Sequence, residues 1–372
     1  MIYLDSAATS LLKPPAVYTA ALRAMRTMAS PGRGSHAPAM RAADCCYRCR
    51  EKLTRLFHMD DPEKVVFTFN ATHALNLAIH TLVRPGARVL VSGYEHNSVT
   101  RPLAALGAAI TVVDTPLFDP DAFLERAARE IGGVETVICT HVSNAFGYIL
   151  PVEALAALCR ERGVPFLLDA SQSAGTIDLD FPALGADFCA MPGHKGLLGP
   201  QGTGVLLCKN DATPLLYGGS GSMSVSQAMP EYLPDRLEAG TLNVAGIAGL
   251  SAGVDWLLAR GAGAVGRYER SLLVRLTELL RAIPGLRVFS SAEDFLQCSV
   301  LSVLPERMDC EAFAAALSAH GVAVRSGLHC APFAHRTVGT LQTGTVRFSV
   351  SPFNTRQEIE QTAAICKKII KS

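Results

Sequence analysis

Lys195 is the residue whose surroundings point most directly to chemistry. It lies in DFCAMPGHKGLLGPQGTGVLL, residues 187–207, where an apolar run leads into Gly193-His194-Lys195 and a glycine-rich turn returns the chain to a second apolar run. This pattern predicts a lysine on a loop between two strands. Burial there removes part of the solvation of the charged amine, which lowers its pKa and frees it to attack a carbonyl. Asp169 closes a separate apolar run, Val164–Asp169. A Schiff-base lysine and a carboxylate for a ring nitrogen are the pair that pyridoxal phosphate requires. A single lysine in a glycine-rich loop is ordinarily solvated and structural, so the reading rests on the combination.

Further candidates fall just after apolar runs. Asn70-Ala71-Thr72-His73 opens a helical pattern, and a helix N-terminus with a threonine hydroxyl suits a phosphate, although Thr72 also suits a plain N-cap. His96, in Gly93-Tyr94-Glu95-His96-Asn97, can stack on a flat ring and exchange protons near neutral pH, or serve as a polar packing residue. Ser143 and Asn144 follow the next run, and Gln172 stands three residues after Asp169. The two amides suit a cofactor or substrate oxygen, or a cap on loop backbone. Downstream, Arg325-Ser326-Gly327-Leu328-His329-Cys330 places a thiol beside a histidine and near an arginine, surroundings that favour thiolate. An inert small-domain thiol is the bland alternative. Arg347, on the following apolar stretch, can grip a carboxylate in a fork or close a sheet-edge salt bridge.

These positions need a scaffold of alternating elements. Helical spacing marks Pro14–Met28, ended by Ser30-Pro31-Gly32-Arg33-Gly34, and Ala39–Phe57. Strand-like runs at Val65–Phe69, Arg88–Ser92, Ile110–Val113, Thr136–Thr140 and Val164–Asp169 then alternate with helical patterns. Alternation of this kind predicts a mostly parallel sheet covered on both faces, with ligands at the carboxyl ends of its strands. Helices at Ile247–Leu258 and Val265–Ile283 flank a loosened stretch, residues 260–263. The remainder reads as a smaller α/β unit: strands at Leu286–Ser290, Val300–Leu304, Val322–Arg325 and Thr345–Val350, with helices at Asp309–His320 and from Thr355. The Cys330 segment is expected on a loop between two strands.

With 372 residues the chain predicts about two domains, and a formal net charge of +1 carries no footprint for nucleic acid or an anionic membrane. The first residues do not read as a signal peptide, and no run approaches the length of a membrane span. Eleven cysteines in such a chain point to a reducing, cytoplasmic compartment. Cys46 and Cys49 are spaced C-x-x-C, but no second pair follows at a zinc-like distance, so no metal is expected.

Taken together, YLDSAATS, EHNS, HVSN, LLDASQ, GHKGLLGPQGTG, LEAGTLN, RSGLHCAP and VRFSVSPFNT resemble the class V pyridoxal-phosphate enzymes, specifically the cysteine desulfurases and selenocysteine lyases, with a group II-like short loop after the cysteine. The resemblance implies fold type I: a large α/β domain over residues 16–260, and a smaller C-terminal α/β domain formed by 1–15 and 261–372 that carries the cysteine loop. It implies that Lys195 bears the cofactor, Asp169 keeps the ring nitrogen protonated and His96 stacks on the ring. Gln172 and Asn144 would contact the ring oxygen and the substrate region, and Ala71, Thr72 and His194 the phosphate. Thr241 would reach in from a second subunit of a homodimer. Arg347, with Arg325 and Asn144, would bind substrate. Cys330 would take sulfur from L-cysteine as a persulfide, leaving L-alanine, and pass it to an acceptor protein or a reductant.

Three departures from the family stand out. Pro192 and Ala71 occupy positions where hydroxyls are common, and Leu328 one where histidine is often found. The same residues also fit a selenocysteine lyase, or another class V aminotransferase or β-lyase. A non-enzymatic reading is a cofactor-binding scaffold or sulfur-carrier partner.

Overall fold

The computed structural model describes residues 1–31 and 34–371; Gly32 and Arg33, at the centre of the expected break after the first helix, lie outside the described residues. A seven-stranded sheet organises the larger part of the chain. In spatial order its strands are Val65–Thr68, Gly204–Cys208, Phe188–Pro192, Phe166–Asp169, Thr136–Thr140, Arg88–Ser92 and Ala109–Val113. The five from Phe188–Pro192 to Ala109–Val113 run parallel, whereas Gly204–Cys208 is antiparallel to both its neighbours. The expected mostly parallel sheet is therefore present.

The inner strands read as continuous apolar runs because both of their faces are covered. Along Phe188–Met191 the side chains alternate between two cores: Cys189 and Met191 join one, Phe188 and Ala190 the other. Crossover helices Ala71–Leu82, Asn97–Ala105, Pro120–Glu130 and Val152–Arg162 connect successive strands. Each return brings the next strand's carboxyl end to the same edge of the sheet, and there the candidate residues collect.

A second sheet is antiparallel, in the order Arg325–Gly327, Thr345–Ser349, Val300–Pro305, Leu286–Phe289. Helices Ala262–Arg281, Cys310–Ala319 and Arg356–Lys371 build a third core against it, and Leu4 belongs to that core. The first residues thus pack with the last third of the chain.

Three local expectations change. The single strand at Val322–Arg325 divides: Val322–Ala323 pairs in parallel with Ile2–Tyr3, while Arg325–Gly327 pairs with Thr345–Ser349, because the two halves meet different partners. The loosened stretch at residues 260–263 contracts to Gly261, whose φ of 81° lets one helix end at Arg260 and the next begin at Ala262. After Cys330 the chain enters a helix, Pro332–Val338, rather than a plain loop; proline opens it and Gly339, at φ 78°, closes it. Among the described residues no helix is long and apolar enough to cross a membrane.

Candidate active site

A cleft opens at the carboxyl ends of the parallel strands. Lys195 lies in it, directly after the strand Phe188–Pro192, with the return strand Gly204–Cys208 beyond. Burial pushes its amine down to about 8; Asp169 opposes the shift, and Arg347 and Arg325 reinforce it. About a tenth of Lys195 is therefore uncharged, and nucleophilic, at pH 7.

Asp169 ends the neighbouring strand and is almost fully buried. Its Oδ1 accepts the Ser171 N–H at 2.9 Å. Burial raises its pKa, while the Ser171 hydrogen bonds and the charge of Lys195 act in the opposite direction. A carboxyl in that position favours a cationic partner, such as a protonated ring nitrogen, in the cleft.

His96 caps the helix Asn97–Ala105: its Nδ1 accepts the Ser98 N–H at 3.0 Å. That bond leaves the ring proton on Nε2. Burial, aided by Lys195 and by Arg325, Arg347 and Arg101, pushes His96 down to about 4, so the ring is neutral at pH 7. A neutral imidazole can lie against a flat ring without adding charge. Ser98 Oγ also lies 3.0 Å from Nδ1 and 2.8 Å from the Thr72 hydroxyl, linking the imidazole to the next helix.

That helix, Ala71–Leu82, forms an anion cradle. Asn70 caps it, with Oδ1 accepting the His73 N–H at 2.9 Å and its carbonyl taking the Ala74 N–H. The N–H groups of Ala71 and Thr72 keep no protein partner among the described residues. The return strand approaches so closely that a Cβ on Gly204 would meet Thr68 Oγ1 at 2.5 Å and the Asn70 carbonyl carbon at 2.6 Å. His194 lines the same cleft with Nδ1 3.0 Å from the Thr9 hydroxyl. Burial, then Lys195 and Lys13, push it down to about 4, so it acts as a neutral hydrogen-bonding group. Ala71 and Pro192 also line the cleft and bring no hydroxyl. Anion binding thus leans on backbone N–H groups and the Thr72–Ser98 pair.

Two amides expected to serve a ligand have one donor each committed to backbone. Gln172 Nε2 donates to the Ala7 carbonyl at 3.0 Å, and Asn144 Nδ2 to the His329 carbonyl at 2.6 Å. Each keeps a second N–H and its side-chain oxygen. Arg347 is buried and already engaged: Nη2 donates to Asp5 Oδ1 at 2.8 Å and Nη1 to the Asn144 carbonyl at 3.0 Å. Its Nε has no partner among the described residues. Exposed Arg325 lies opposite Arg347 in the strand register. Asp5 pairs with Arg347, and Arg325 has no carboxylate partner among the described residues, so the mouth of the cleft carries surplus positive charge.

Cys330 is exposed at the cleft's edge. His329 and Cys330 both adopt left-handed backbone, at φ 51° and 57°, conformations that cost on the order of 1 kcal/mol each for residues other than glycine. The turn is held by the bond from Ala331 N–H to the Leu328 carbonyl and by the Asn97 N–H, which donates to the Cys330 carbonyl at 2.8 Å. The helix that begins after His96 thereby fixes the thiol-bearing turn.

Lys195, Asp169, Gln172, His96, Ala71, Thr72, His194, Asn144, Arg325, Arg347 and Cys330 all line this one cleft; Thr241 does not. It lines a separate cavity beside the buried Arg50–Glu238 ion pair. Cys46 and Cys49 are buried in the core, and burial pushes Cys46 up to about 12. No cluster of three metal-ligating side chains occurs among the described residues.

Sequence reasoning passed over Ser98, Asp5 and Glu95. Ser98 had a signal, two residues past His96 at a helix start. The partnership of Asp5 with Arg347 spans 342 residues and has no local signature.

The sequence matches the family of class-V aminotransferases over residues 2–362. The chain belongs to that family. Class-V members are pyridoxal-phosphate enzymes, and the donor set here fits the group: an anion cradle, a buried carboxyl and a lysine of lowered pKa in one cleft. A probable cysteine desulfurase of Methanothermobacter thermautotrophicus is 34% identical over 374 residues, spanning 96% of this chain and 92% of the relative. A probable cysteine desulfurase of Xylella fastidiosa is 34% identical over all of this chain and 91% of its own length. Among solved structures, the apo cysteine desulfurase of Thermococcus onnurineus superposes with a TM-score of 0.91 at 30% identity, covering 100% of this chain and 94% of that one. The class-V fold, a pyridoxal-phosphate fold of type I, is thus this chain's fold.

Proposed function

We propose that this class-V chain is a pyridoxal-phosphate-dependent cysteine desulfurase that converts L-cysteine to L-alanine and holds the sulfur on Cys330. The observation that carries the reading is the meeting of Lys195, Asp169 and an exposed Cys330 in one cleft, in a chain whose similar relatives are named cysteine desulfurases. Pyridoxal phosphate, bound there, supplies an electrophilic carbonyl and a ring that withdraws electrons from the substrate Cα.

The residues of the chain would do the following. Ala71 and Thr72 N–H groups, the Thr72 hydroxyl and neutral His194 hold the phosphate. Asp169 holds a proton at the ring nitrogen, neutral His96 lies on the ring face, and Gln172 and Asn144 contact the ring oxygen and substrate. Arg347 receives the substrate carboxylate, with Arg325 adding positive charge at the mouth. Lys195, its amine freed, takes the Cα proton. Cys330 thiolate would attack the substrate sulfur; the new S–S bond would form as the Cβ–S bond breaks, and its electrons would leave with the carbon fragment, which takes one proton at Cβ, regains one at Cα from Lys195 and departs as alanine. The persulfide then passes to a sulfur-acceptor protein or a reductant.

Several wider features belong to the same proposal. We assign residues 16–260 to a large domain and 1–15 with 261–372 to a small one. We also place the enzyme in the cytoplasm as a homodimer, with Thr241 completing the partner's phosphate site, and with neither nucleic acid nor membrane among its partners. Selenocysteine lyase is the second reading, because exposed Cys330 sits on a turn at the edge of the cleft and selenium, which leaves more readily, needs it less. Incubating wild type and Cys330→Ala with L-cysteine, and following alanine with protein-bound persulfide, tests the proposal. Both products in the wild type and neither in the variant is the expected result; equal alanine from both proteins sinks it in favour of the lyase.

A further inference from the structure

Glu95 is a buried carboxyl that the reaction above does not use. It stands immediately before His96, past the end of the strand Arg88–Ser92, and is fully buried. Its Oε1 accepts two hydrogen bonds, one from the Ser92 hydroxyl and one from the Thr140 N–H at 2.8 Å. Ser92 Oγ in turn accepts the Tyr94 N–H at 3.2 Å. Its Oε2 is buried with no hydrogen-bond partner among the described residues.

The Thr140 bond falls where the ladder has run out. Strands Arg88–Ser92 and Thr136–Thr140 pair from Val89–Thr136 to Val91–Ile138, so the Thr140 N–H lies past the last pair. On its other side Thr140 lies opposite Asp169, and the next N–H, that of His141, donates to the Asp169 carbonyl at 2.9 Å. One side chain therefore ties together the ends of two adjacent strands, and backbone bonds join the second of them to a third. The first leads into His96, the ring-face residue, and the third ends in Asp169, the ring-nitrogen residue.

We propose that Glu95 is a positioning residue, carried as the neutral acid, that couples His96 to Asp169 and so sets the face and edge contacts of the cofactor ring. This rests on the functional reading above. The charge state follows from the surroundings. The titratable groups facing it from neighbouring strands are Asp169, whose charge opposes a second negative one, and Cys139, a thiol that burial keeps neutral, and none of its hydrogen bonds comes from a cation. Burial, with Asp169 adding to it against the two hydrogen bonds, pushes the Glu95 carboxyl up to about 8. The proton sits on Oε2, since Oε1 already accepts twice. A neutral Glu95 leaves Asp169 as the negative charge available to the ring.

The test uses apoprotein and pyridoxal phosphate alone, without turnover. Unfolding is measured across pH for wild type and Glu95→Gln, which keeps a neutral side chain and the Oε1 acceptor. The unfolded carboxyl releases its proton near pH 4.3, while the folded one keeps it to about 8, so the folded state binds the extra proton between these values. Wild type should accordingly lose stability relative to Glu95→Gln as pH rises through that window, by up to about tenfold in the folding constant per pH unit, with a constant gap above it. Parallel curves overturn the neutral acid.

Cofactor affinity is then titrated by absorbance. Glu95→Gln is expected within about threefold of wild type, and Glu95→Ala or Glu95→Asp weakened at least about tenfold with a displaced absorption maximum. If Gln weakens binding as much as Ala, or Ala not at all, the positioning role is wrong. A wild-type protein that takes up no pyridoxal phosphate overturns the cofactor reading and the ring-positioning role with it, while the pH comparison still judges the neutral acid. Should the Ala and Asp variants fail to fold, Ser92→Ala, which removes one of the two bonds to Glu95 Oε1, takes their place, and an affinity equal to wild type then overturns the positioning role.

Discussion

Arg347 Nη2 donates to Asp5 Oδ1 at 2.8 Å, so the arginine expected to receive substrate is already held by the amino-terminal segment. The contact is understandable in energetic terms. A guanidinium buried on an inner strand needs an anion nearby, and Asp5 arrives there because Ile2–Tyr3 pairs with Val322–Ala323 and Asp5 bridges to Ser349. Removing Asp5 leaves the charge buried and unpaired. Asp5→Ala is expected to destabilise the apoprotein by about 3 kcal/mol in urea titrations, the lower end for a broken buried pair because Asp5 is partly exposed. Arg347→Lys keeps the charge but loses the fork, and should raise KM for cysteine at least about tenfold while altering kcat less.

Lys195 makes a second prediction through its own burial. Its folded pKa is about 8 and the unfolded value is about 10.4, so between these values the unfolded chain binds the extra proton. The cost of burying the amine is present in full below pH 8 and vanishes as pH rises through about 10. Lys195→Met apoprotein should thus be more stable than wild type at pH 7, by about 3 kcal/mol, with the gap reduced to under about 1 kcal/mol at pH 10. Paired urea titrations at the two pH values check this. A gap that widens with pH would mean that Lys195 is held by a counter-charge rather than destabilised by burial.

The site was legible in the sequence where chemistry and topology coincide. Parallel strands present their carboxyl ends along one edge, so Thr72, His96, Asn144, Asp169 and Lys195 could be placed from five apolar runs and the residues after them. What could not be read depends on contacts between distant segments. The division of the strand at Val324 needs Ile2–Tyr3 as a partner, and the commitment of Asn144 to the His329 carbonyl needs the small sheet to be docked. Glu95 was visible only as a member of a motif, because nothing local says that its partner is the Thr140 amide on the next strand. Its neighbour Ser98 had the spacing of a capping partner, but a hydroxyl bridge to Thr72 depends on two helices starting side by side.

The hydroxyl bridge gives the third prediction. Thr72 Oγ1 and Ser98 Oγ are 2.8 Å apart, and with Ser98 donating in that pair Thr72 offers an oriented hydroxyl to an anion at the helix start. With Ala71 and Pro192 lacking hydroxyls, this one carries more of the binding than it would beside others. Thr72→Val should weaken the apoprotein's affinity for pyridoxal phosphate about tenfold, the loss expected for a hydrogen bond to a charged group. Thr72→Ser should stay close to wild type. Absorbance titration of the apoproteins distinguishes the two, and equal weakening would assign the effect to the threonine methyl and helix packing.

Asn144 yields the last prediction because its two ends have different duties. Its backbone carbonyl accepts from Arg347 and survives any side-chain change, whereas its side chain donates to the His329 carbonyl at 2.6 Å, one residue before Cys330. Asn144→Ala therefore leaves that Arg347 contact in place and releases one tether of a turn already held in two left-handed conformations. A looser turn places the thiol less often where it can reach substrate sulfur, while Lys195 and Asp169 are untouched. Persulfide formation should fall at least about tenfold, and exchange of the substrate Cα proton with solvent deuterium should fall much less. Following both in one incubation separates the outcomes. Equal loss of the two would mean that the contact of the Asn144 side chain with cofactor or substrate outweighs its tether on the Cys330 turn.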